Sequence, residues 1–428
     1  MSTIVANEAD LYFERGGPSY RLMQRVGLIR GDDPSILRRS IGFLALTWLP
    51  LLLLSLLDGH ALGQTPGQSF LLDFAAYVRF FIAVPLLFVA ETIVGPRLTN
   101  AGLQFIRADF VLPDEYPAFE KAIDRVAKRR ESTVVEIVIL CAALVGAWTL
   151  TPETLIGGAA QPWYALAVNG HISLAGHWNQ FIAVPIIQFL WFRWIWRLGI
   201  WTWFLRDVAK LKLALIPTHA DQAGGLGFLG IAHASLGIFA FAVSAVLSAS
   251  AAFRIVFAGA KIDTFKMPFV IVLVVAEVLC IAPLLWFSPL LARARRQGLQ
   301  TYSLLVNRYN RAFHEKWIEG HVSKDEPLLG SADIQSLADL GNSFGFIRAM
   351  RLVPFSRLLI IQLAVATALP GLPLILVSDT TRALGDLAHW HRSQCPTTII
   401  GITGSNGKTT TRASPDPAVP APQHRRPW

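Results

Sequence analysis

A glycine-rich loop near the C-terminus carries the clearest chemical pattern in the chain. Residues 401–411 are Gly-Ile-Thr-Gly-Ser-Asn-Gly-Lys-Thr-Thr-Thr, and residues 397–400 could be the end of a strand that leads into them. The backbone amides of such a loop can surround a phosphate, Lys408 would reach the terminal phosphates of a nucleotide, and Thr409 would bind Mg²⁺. The glycine spacing departs by one residue from the general phosphate-loop pattern. The chemistry that this pattern predicts is binding of a nucleoside triphosphate.

This loop resembles the ATP loop of the Mur ligases, the ATP-dependent amino-acid ligases of peptidoglycan precursor synthesis. The resemblance continues upstream, through Asp-Thr-Thr-Arg-Ala-Leu-Gly-Asp-Leu-Ala at 379–388 and His391-Arg392, so that it covers about 379–412. It implies a set of nucleotide-binding residues, namely Gly404, Asn406, Gly407, Lys408, Thr409 and Thr410.

As an enzyme, however, this segment is a fragment. The ligases that it resembles need a substrate domain before it, and a central ATPase domain and a third domain after it. Residues 413–428 are instead rich in proline and cannot form a sheet or supply acidic Mg²⁺ ligands. We therefore predict no catalytic residue, no metal site and no cofactor, with ATP and Mg²⁺ bound only if the loop is functional. The alternative is a functional loop that confers nucleotide binding or Mur-type ligase activity.

The elements that carry this loop belong to a different class of protein. Of the 428 residues, 53% are hydrophobic and only 16% are charged, whereas a soluble domain has about 25% charged residues. With a mean hydropathy of +0.46, this composition argues against a soluble enzyme and predicts a multi-pass membrane protein. The expected partner is the lipid bilayer. We interpret the net charge of +9 as an effect of membrane orientation and expect no nucleic-acid partner.

Apolar stretches predict an all-α polytopic bundle of about seven transmembrane helices (six or seven), followed by a short non-globular fragment. The predicted spans are 41–57, 72–94, 133–151, 180–204, 226–252, 268–291 and 357–377. The predicted division is a cytoplasmic segment at 1–40, a six-helix bundle at 41–291, a cytoplasmic helical segment at 292–356, the seventh span, and the ligase-like tail at 378–428. The junction near 376–379 is interpreted as that of a chimera.

The distribution of basic residues predicts the orientation. Lysine and arginine are frequent before the first span and after the second, fourth and sixth, whereas the loops 58–71 and 152–179 contain neither. The positive-inside rule then places the N-terminus in the cytoplasm. Residues 1–377 resemble uncharacterised multi-pass bacterial inner-membrane proteins, and this resemblance implies the inner membrane of a bacterium. With seven spans, the ligase-like loop would lie outside, where ATP is scarce. A last apolar stretch that re-enters instead of crossing would return the loop to the cytoplasm.

An internal repeat is visible in the returning spans. Phe-Ile-Ala-Val-Pro occurs at 81–85 and again at 181–185, with a weaker copy at 281–285. Twelve residues after each proline lies an arginine, namely Arg97, Arg197 and Arg295. We predict helical hairpins repeated in parallel, each with a proline-kinked returning helix, against the alternative of chance recurrence in apolar sequence.

The repeat also aligns three polar residues within the spans. Arg79, Asn179 and Glu277 each lie six residues before the proline, so we predict an intramembrane polar cluster in which Arg79 pairs with Glu277. Its alternatives are an ion or proton path and a buried pair that fixes helix register. Glu91 and Arg193 lie towards the inner ends of their spans, where snorkelling to the interface explains them.

Two cytoplasmic segments complete the predictions. Residues 114–130 predict an amphipathic helix that either lies on the inner leaflet or packs beneath the bundle. Before the fifth span, the segment 219–228 predicts an anion site with the alternative of an aspartate cap and close helix packing. The residues of this candidate site are His219, Asp221, Gly224 and Gly225. In 292–356 we expect a helix that continues to about 318 and a second that ends at Gly341-Asn342.

Overall fold

The computed structural model describes residues 16–29, 35–62, 68–150, 163, 167–168, 171–321 and 331–372. The chain divides into two compact units, 1–376 and 377–428, and every structural feature reported below belongs to the first. The ligase-like loop and its six predicted nucleotide-binding residues lie outside the described residues.

The described residues are predominantly helical, as the apolar periodicity predicts. The α-helices are α1 Pro18–Arg25, α2 Ile36–Leu46, α3 Trp48–Leu57, α4 Phe74–Tyr77, α5 Val84–Arg107, α6 Tyr116–Arg130, α7 Thr133–Thr149, α8 Leu174–Trp178, α9 Val184–Val208, α10 Phe228–Ala234, α11 Gly237–Ala258, α12 Asp263–Ile281, α13 Ser288–Phe313, α14 Ala332–Ala349 and α15 Arg357–Ala368. One antiparallel pair of two-residue strands joins β1 Ala167–Val168 to β2 His171–Ile172. The all-α class is therefore confirmed.

Several helices are long and apolar enough to cross a membrane. By length and composition there are five among the described residues, at Ile36–Leu57, Phe74–Arg107, Leu174–Val208, Phe228–Ala258 and Asp263–Ile318. A sixth is obtained if the bent pair Pro113–Arg130 and Thr133–Thr149 counts as one span. Six of the predicted spans fall on these helices. The seventh overlaps the shorter apolar helix Arg357–Gly371, and 373–377 lies outside the described residues.

The repeat predicted from the sequence is present in the backbone of its first two copies. Asp73 and Ser173 cap the short helices α4 and α8, accepting hydrogen bonds from Ala76 N (3.0 Å) and Gly176 N (3.0 Å). A π-helical turn follows in each copy, at Val78–Ala83 and Asn179–Ala183, and then the long helix α5 or α9 begins.

A proline at the second position of each long helix explains this local break. Pro85 and Pro185 lack an N–H, and their rings would clash with the carbonyl four residues earlier in a regular α-helix. The π turn inserts one extra residue at this point and widens the helix. In the weaker third copy the break is a 3₁₀ turn at Ala282–Phe287 instead.

The segments that were predicted to be cytoplasmic depart in part from expectation. The apolar face of α6 is buried, and Phe119 packs on Phe204 of α9 with ring centroids 5.8 Å apart. Helix α6 therefore packs against the bundle, which decides between the two alternatives. The helix through about 318 is confirmed, with a final π turn at His314–Ile318. The predicted end at Gly341-Asn342 is wrong, because α14 continues to Ala349 and tolerates both residues in its interior.

Candidate functional site

Charged side chains from four apolar helices meet inside the bundle, centred on Glu91 of α5. The Glu91 carboxylate accepts hydrogen bonds from Arg39 of α2 and from Arg197 of α9, the latter joining Nη1 to Oε1 at 2.6 Å. Arg193, one turn earlier on α9, has Nη1 3.9 Å from Glu91 Oε1 and Nε 3.9 Å from Oε1 of Glu136 on α7. We call these five residues the buried charge network.

The alternating direction of the helices brings these residues to one depth. Arg39 and Glu136 lie in the first turns of α2 and α7, whereas Glu91 and the two arginines of α9 lie well inside helices that return from the other side. In the predicted orientation, all of them lie towards the cytoplasmic side. The N-terminal helix α1 also contacts the network. Ser19 of α1 donates two hydrogen bonds to Glu136, from its backbone N (2.6 Å) and from its Oγ (2.9 Å).

The network is shielded from solvent. Arg39, Glu91, Arg193 and Arg197 are each less than a tenth exposed, and the Glu136 side chain is 12% exposed. Three guanidinium groups face two carboxylates, which leaves one positive charge in excess. Removing one partner from such a buried set leaves an uncompensated charge, at a cost of about 3 to 5 kcal/mol.

The interpretation of Glu91 and Arg193 as snorkelling residues is wrong. Their side chains point into the bundle and pair there instead of reaching the interface. Aromatic rings support the same set, since the guanidinium carbon of Arg39 lies 4.2 Å from the ring centroid of Phe88 and that of Arg197 lies 5.5 Å from the ring of Trp194. The sequence shows these residues inside apolar spans, but it does not show which of the helices face one another.

The predicted intramembrane polar cluster of Arg79, Asn179 and Glu277 does not form the expected ion pair. Arg79 and Asn179 occupy equivalent positions in the two π turns, and both are buried. Glu277 lies on α12, and neither of its buried carboxylate oxygens has a hydrogen-bond partner, so the predicted pair with Arg79 does not form. In the third copy the positions that align with the first π turn, 276–281, are α-helical, and a 3₁₀ turn follows at Ala282–Phe287.

The segment before α10, for which an anion site was predicted, is a turn organised by one carboxylate. Asp221 Oδ1 accepts from the amides of Ala223 (2.8 Å) and Gly225 (3.1 Å), and Oδ2 accepts from Gly227 (2.7 Å). His219 Nδ1 lies 2.8 Å from Asp221 Oδ1. These amides are occupied by the chain's own carboxylate, which is the geometry of the capping alternative; an outside anion would have to compete with Asp221.

The same contacts explain the electrostatics and the glycines of this turn. Partial burial alone would raise the pKa of Asp221, but the three amides and His219 outweigh it and lower the pKa below its ordinary value. Gly224 and Gly225 have φ of +64° and +95°, and a Cβ on Gly225 would lie 2.4 Å from the Phe110 ring. Close packing therefore requires glycine there.

A cleft of about 640 Å³ opens beside this turn. Its polar side chains are Arg97, Gln104, His219, Asp221, Arg351, Ser356 and Gln362. Arg97 and Arg197, which occupy equivalent repeat positions, thus have different surroundings: Arg97 lines an open cleft, whereas Arg197 is paired inside the bundle.

A buried histidine escaped the sequence analysis. Trp201 Nε1 of α9 donates to His233 Nε2 of α10 at 2.7 Å, and His233 Nδ1 lies 2.6 Å from the carbonyl oxygen of Cys280 on α12. These two contacts assign a neutral ring with its proton on Nδ1. His233 is fully buried, and its two contacts link α10 to α9 and to α12. A single histidine in an apolar helix was the only signal in the sequence.

No candidate metal site occurs in the part of the chain that the structure describes, where no three histidine, cysteine, aspartate or glutamate side chains are grouped to hold an ion.

Comparison with known proteins finds similarity over a short segment. Forty-one residues, 10% of this chain, are 46% identical to part of the UDP-N-acetylmuramoyl-tripeptide–D-alanyl-D-alanine ligase of Escherichia coli (strain K12). The enzyme of the same name from Buchnera aphidicola subsp. Baizongia pistaciae (strain Bp) is 51% identical over 41 residues. The matched segment spans 9% of each ligase. No family model and no solved structure matches the chain. The predicted resemblance to a Mur-ligase fragment is confirmed, and it extends no further.

Proposed function

We propose that the protein is an integral inner-membrane protein with a cytoplasmic N-terminus, and that it acts as a transporter-like or envelope-associated bundle. The observation that carries this proposal is the buried charge network. Ionisable side chains inside membrane spans are costly and tend to mark solute pathways or two-state packing. Here one excess positive charge favours an anionic solute.

The helix breaks support the transporter-like form of this proposal. Transporter helices are often interrupted at corresponding positions of internal repeats, where backbone and polar groups meet near the substrate. The π turns at Val78–Ala83 and Asn179–Ala183 are such interruptions, and each contains a buried polar residue, Arg79 or Asn179.

Flux through reconstituted protein tests transport. Liposomes containing the full chain and loaded with chloride or inorganic phosphate should release the anion faster than protein-free liposomes, and Arg197→Gln should reduce the release. An exposed arginine on the same helix, Arg206, supplies the matched control as Arg206→Gln. Release equal to that of protein-free liposomes for both anions would contradict transport of small anions and favour the envelope-associated form.

Cysteine labelling tests the orientation. In a variant with alanine at Cys141, Cys280 and Cys395, a membrane-impermeant maleimide should label Leu62→Cys from outside the inner membrane. It should label Lys121→Cys only after that membrane is permeabilised. Both positions are exposed in the structure. The reverse pattern would overturn the proposed orientation.

Nucleotide binding through the C-terminal loop is the second candidate, and the 41-residue similarity to a ligase favours it. Equilibrium dialysis of the full chain with ATP and Mg²⁺ tests it, with Lys408→Ala as the comparison. We expect no saturable binding in either protein. Binding that Lys408→Ala abolishes would support a functional loop and reopen ligase chemistry.

A further inference from the structure

A groove of about 530 Å³ runs along the side of the bundle, between α1, α2, α7 and the returning helix that contains α9. Its wall is almost entirely apolar. Representative lining residues are Leu22, Ile137, Leu140, Leu144, Phe181 and Ile186. Ile137, Leu140 and Phe181 are 55%, 47% and 52% exposed on the outer surface. In a membrane protein this surface faces the acyl chains of lipids.

The length of the groove matches one leaflet. Phe181 and Arg193 both line it and are separated by twelve residues, which is about 18 Å at a rise of 1.5 Å per residue. Half of a hydrocarbon core of about 30 Å is about 15 Å. One acyl chain therefore fits along the groove, with its polar end at the level of the buried charge network.

At the polar end of the groove lies an arginine that is ion-paired but has one nitrogen without a hydrogen bond. Glu136 and Arg193 both line this end. The two oxygens of Glu136 already accept hydrogen bonds from Ser19. Arg193 is 4% exposed, and its Nη1 makes no hydrogen bond. Its Nη2 donates weakly to Gly16 O at 3.4 Å.

The charges that surround Arg193 favour an anion. Glu91, Glu136, Arg39 and Arg197 face it from four helices, and with Arg193 itself the set has one excess positive charge. A phosphate oxygen at Nη1 would satisfy the free donor and neutralise that excess by a charge-assisted hydrogen bond. A zwitterionic headgroup would add a positive charge next to the same arginines.

We propose that this groove binds one acyl chain of an anionic phospholipid, with the lipid phosphate at Arg193. In the proposed orientation the site lies in the cytoplasmic leaflet, which holds anionic lipids. The site needs neither transport nor a functional C-terminal loop, and its test is independent of both.

Lipid titration of the purified full chain, delipidated in detergent, tests this site. Dioleoyl phosphatidylglycerol should raise the Tm by several degrees and bind roughly tenfold more tightly than dioleoyl phosphatidylcholine, because it lacks the choline cation that would lie next to the arginines. Oleate, the third probe, tests a free carboxylate. An equal effect of the two phospholipids would overturn the preference for an anionic phospholipid, and a larger effect of oleate would make a fatty acid the occupant.

A matched pair of variants tests the position of the lipid. Ile137→Trp fills the groove without touching the charge network and should abolish the Tm shift caused by phosphatidylglycerol. Ile271→Trp, at a similarly exposed position on α12 (58% against 55%), should retain it. Loss of the shift in neither variant, or in both, would overturn the site.

Two further measurements separate the remaining outcomes. Arg193→Lys keeps the charge but replaces the planar guanidinium with a compact ammonium group, so it should weaken binding of phosphatidylglycerol more than binding of phosphatidylcholine. Light scattering records the oligomeric state of Ile137→Trp. A native dimer that this variant dissociates, together with no response to phospholipid, would identify the groove as a protein interface and overturn the proposal.

Discussion

The two copies of the repeat share a backbone but differ in charge. Both have a cap, a short helix, a π turn, and a long helix with proline at its second position. At equivalent positions, however, the first copy has Glu91 and Ile93 where the second has Trp191 and Arg193. The first copy thus supplies Glu91, the carboxylate at the centre of the buried charge network, and the second supplies two of the arginines of the network.

This difference separates what determines the backbone from what determines the site. Proline and the capping residue are local signals, and they act in the same way in both copies. The ion pairs require two copies packed side by side at the same depth, with opposite charges at neighbouring positions. The repeat therefore brings complementary residues together, although neither copy contains the network by itself.

The largest loss of stability is expected when the carboxylate that the first copy contributes, Glu91, is removed. Glu91→Gln leaves three buried arginines with only Glu136 as a counter-charge, so the free energy of unfolding should fall by about 3 to 5 kcal/mol. Thermal unfolding of the purified protein measures the change in stability, and size-exclusion chromatography checks that each variant is folded before heating. Glu319→Gln, at a side chain that is 50% exposed, is the control. Equal Tm values for the two variants would show that the copies do not depend on each other through this charge.

A second difference between the copies lies at positions 101 and 201, which are alanine and tryptophan. Because Trp201 donates to His233, His233→Ala should orphan the indole N–H and the Cys280 carbonyl, costing about 1 to 3 kcal/mol for each buried group. His321→Ala, at an exposed histidine, should have no measurable effect on the Tm. A double variant with Trp201→Phe should lose less than the two single variants added together. Strict additivity would contradict the hydrogen bond.

These outcomes bear on how far sequence analysis could go. Apolar stretches and prolines are local, so the spans and the repeat could be predicted. Pairing of Glu91 with Arg39 and Arg197 depends on which helix faces which, and a single sequence does not contain that information. The pair of Arg79 with Glu277 relied on the third copy, whose break has a different geometry. In the turn before α10, the cap formed by Asp221 was predictable because aspartate before a helix accepts backbone hydrogen bonds.

The caps of the two copies offer a smaller test of their equivalence. Ser173→Ala removes the acceptor for Gly176 N and should lower stability by about 1 kcal/mol. Asp73→Ser keeps a capping oxygen but loses the contact in which Trp163 Nε1 donates to Asp73 Oδ2 at 2.9 Å. If the caps are equivalent, Ser173→Asp should be tolerated. Asp73→Ser should still be destabilising, because serine cannot replace the contact with Trp163. Chemical denaturation measures all three variants, and a neutral Asp73→Ser would show that the Trp163 contact contributes nothing.

The smallest effect is expected at Asp221, outside both copies, where amides instead of arginines satisfy a carboxylate. Its pKa is lower in the folded protein, so its contribution to stability is present above the ordinary aspartate pKa near 3.8 and is lost as pH falls below it. Asp221→Asn should therefore be less stable than the native protein at pH 7, and the difference should shrink towards pH 3. Amide hydrogen exchange of 219–227, corrected for intrinsic rates, measures it. A difference that does not change with pH would exclude ionisation of Asp221 as its source.

The π turns also have a mechanical consequence for the network. Each contains one residue more than a regular α-helical turn. If the extra residue moved along α5, the helix segment that it passed would rotate by about 100° about its axis. That rotation would turn Glu91 away from Arg39 and Arg197. Movement of the extra residue past Glu91 would therefore require the ion pairs of Glu91 to break.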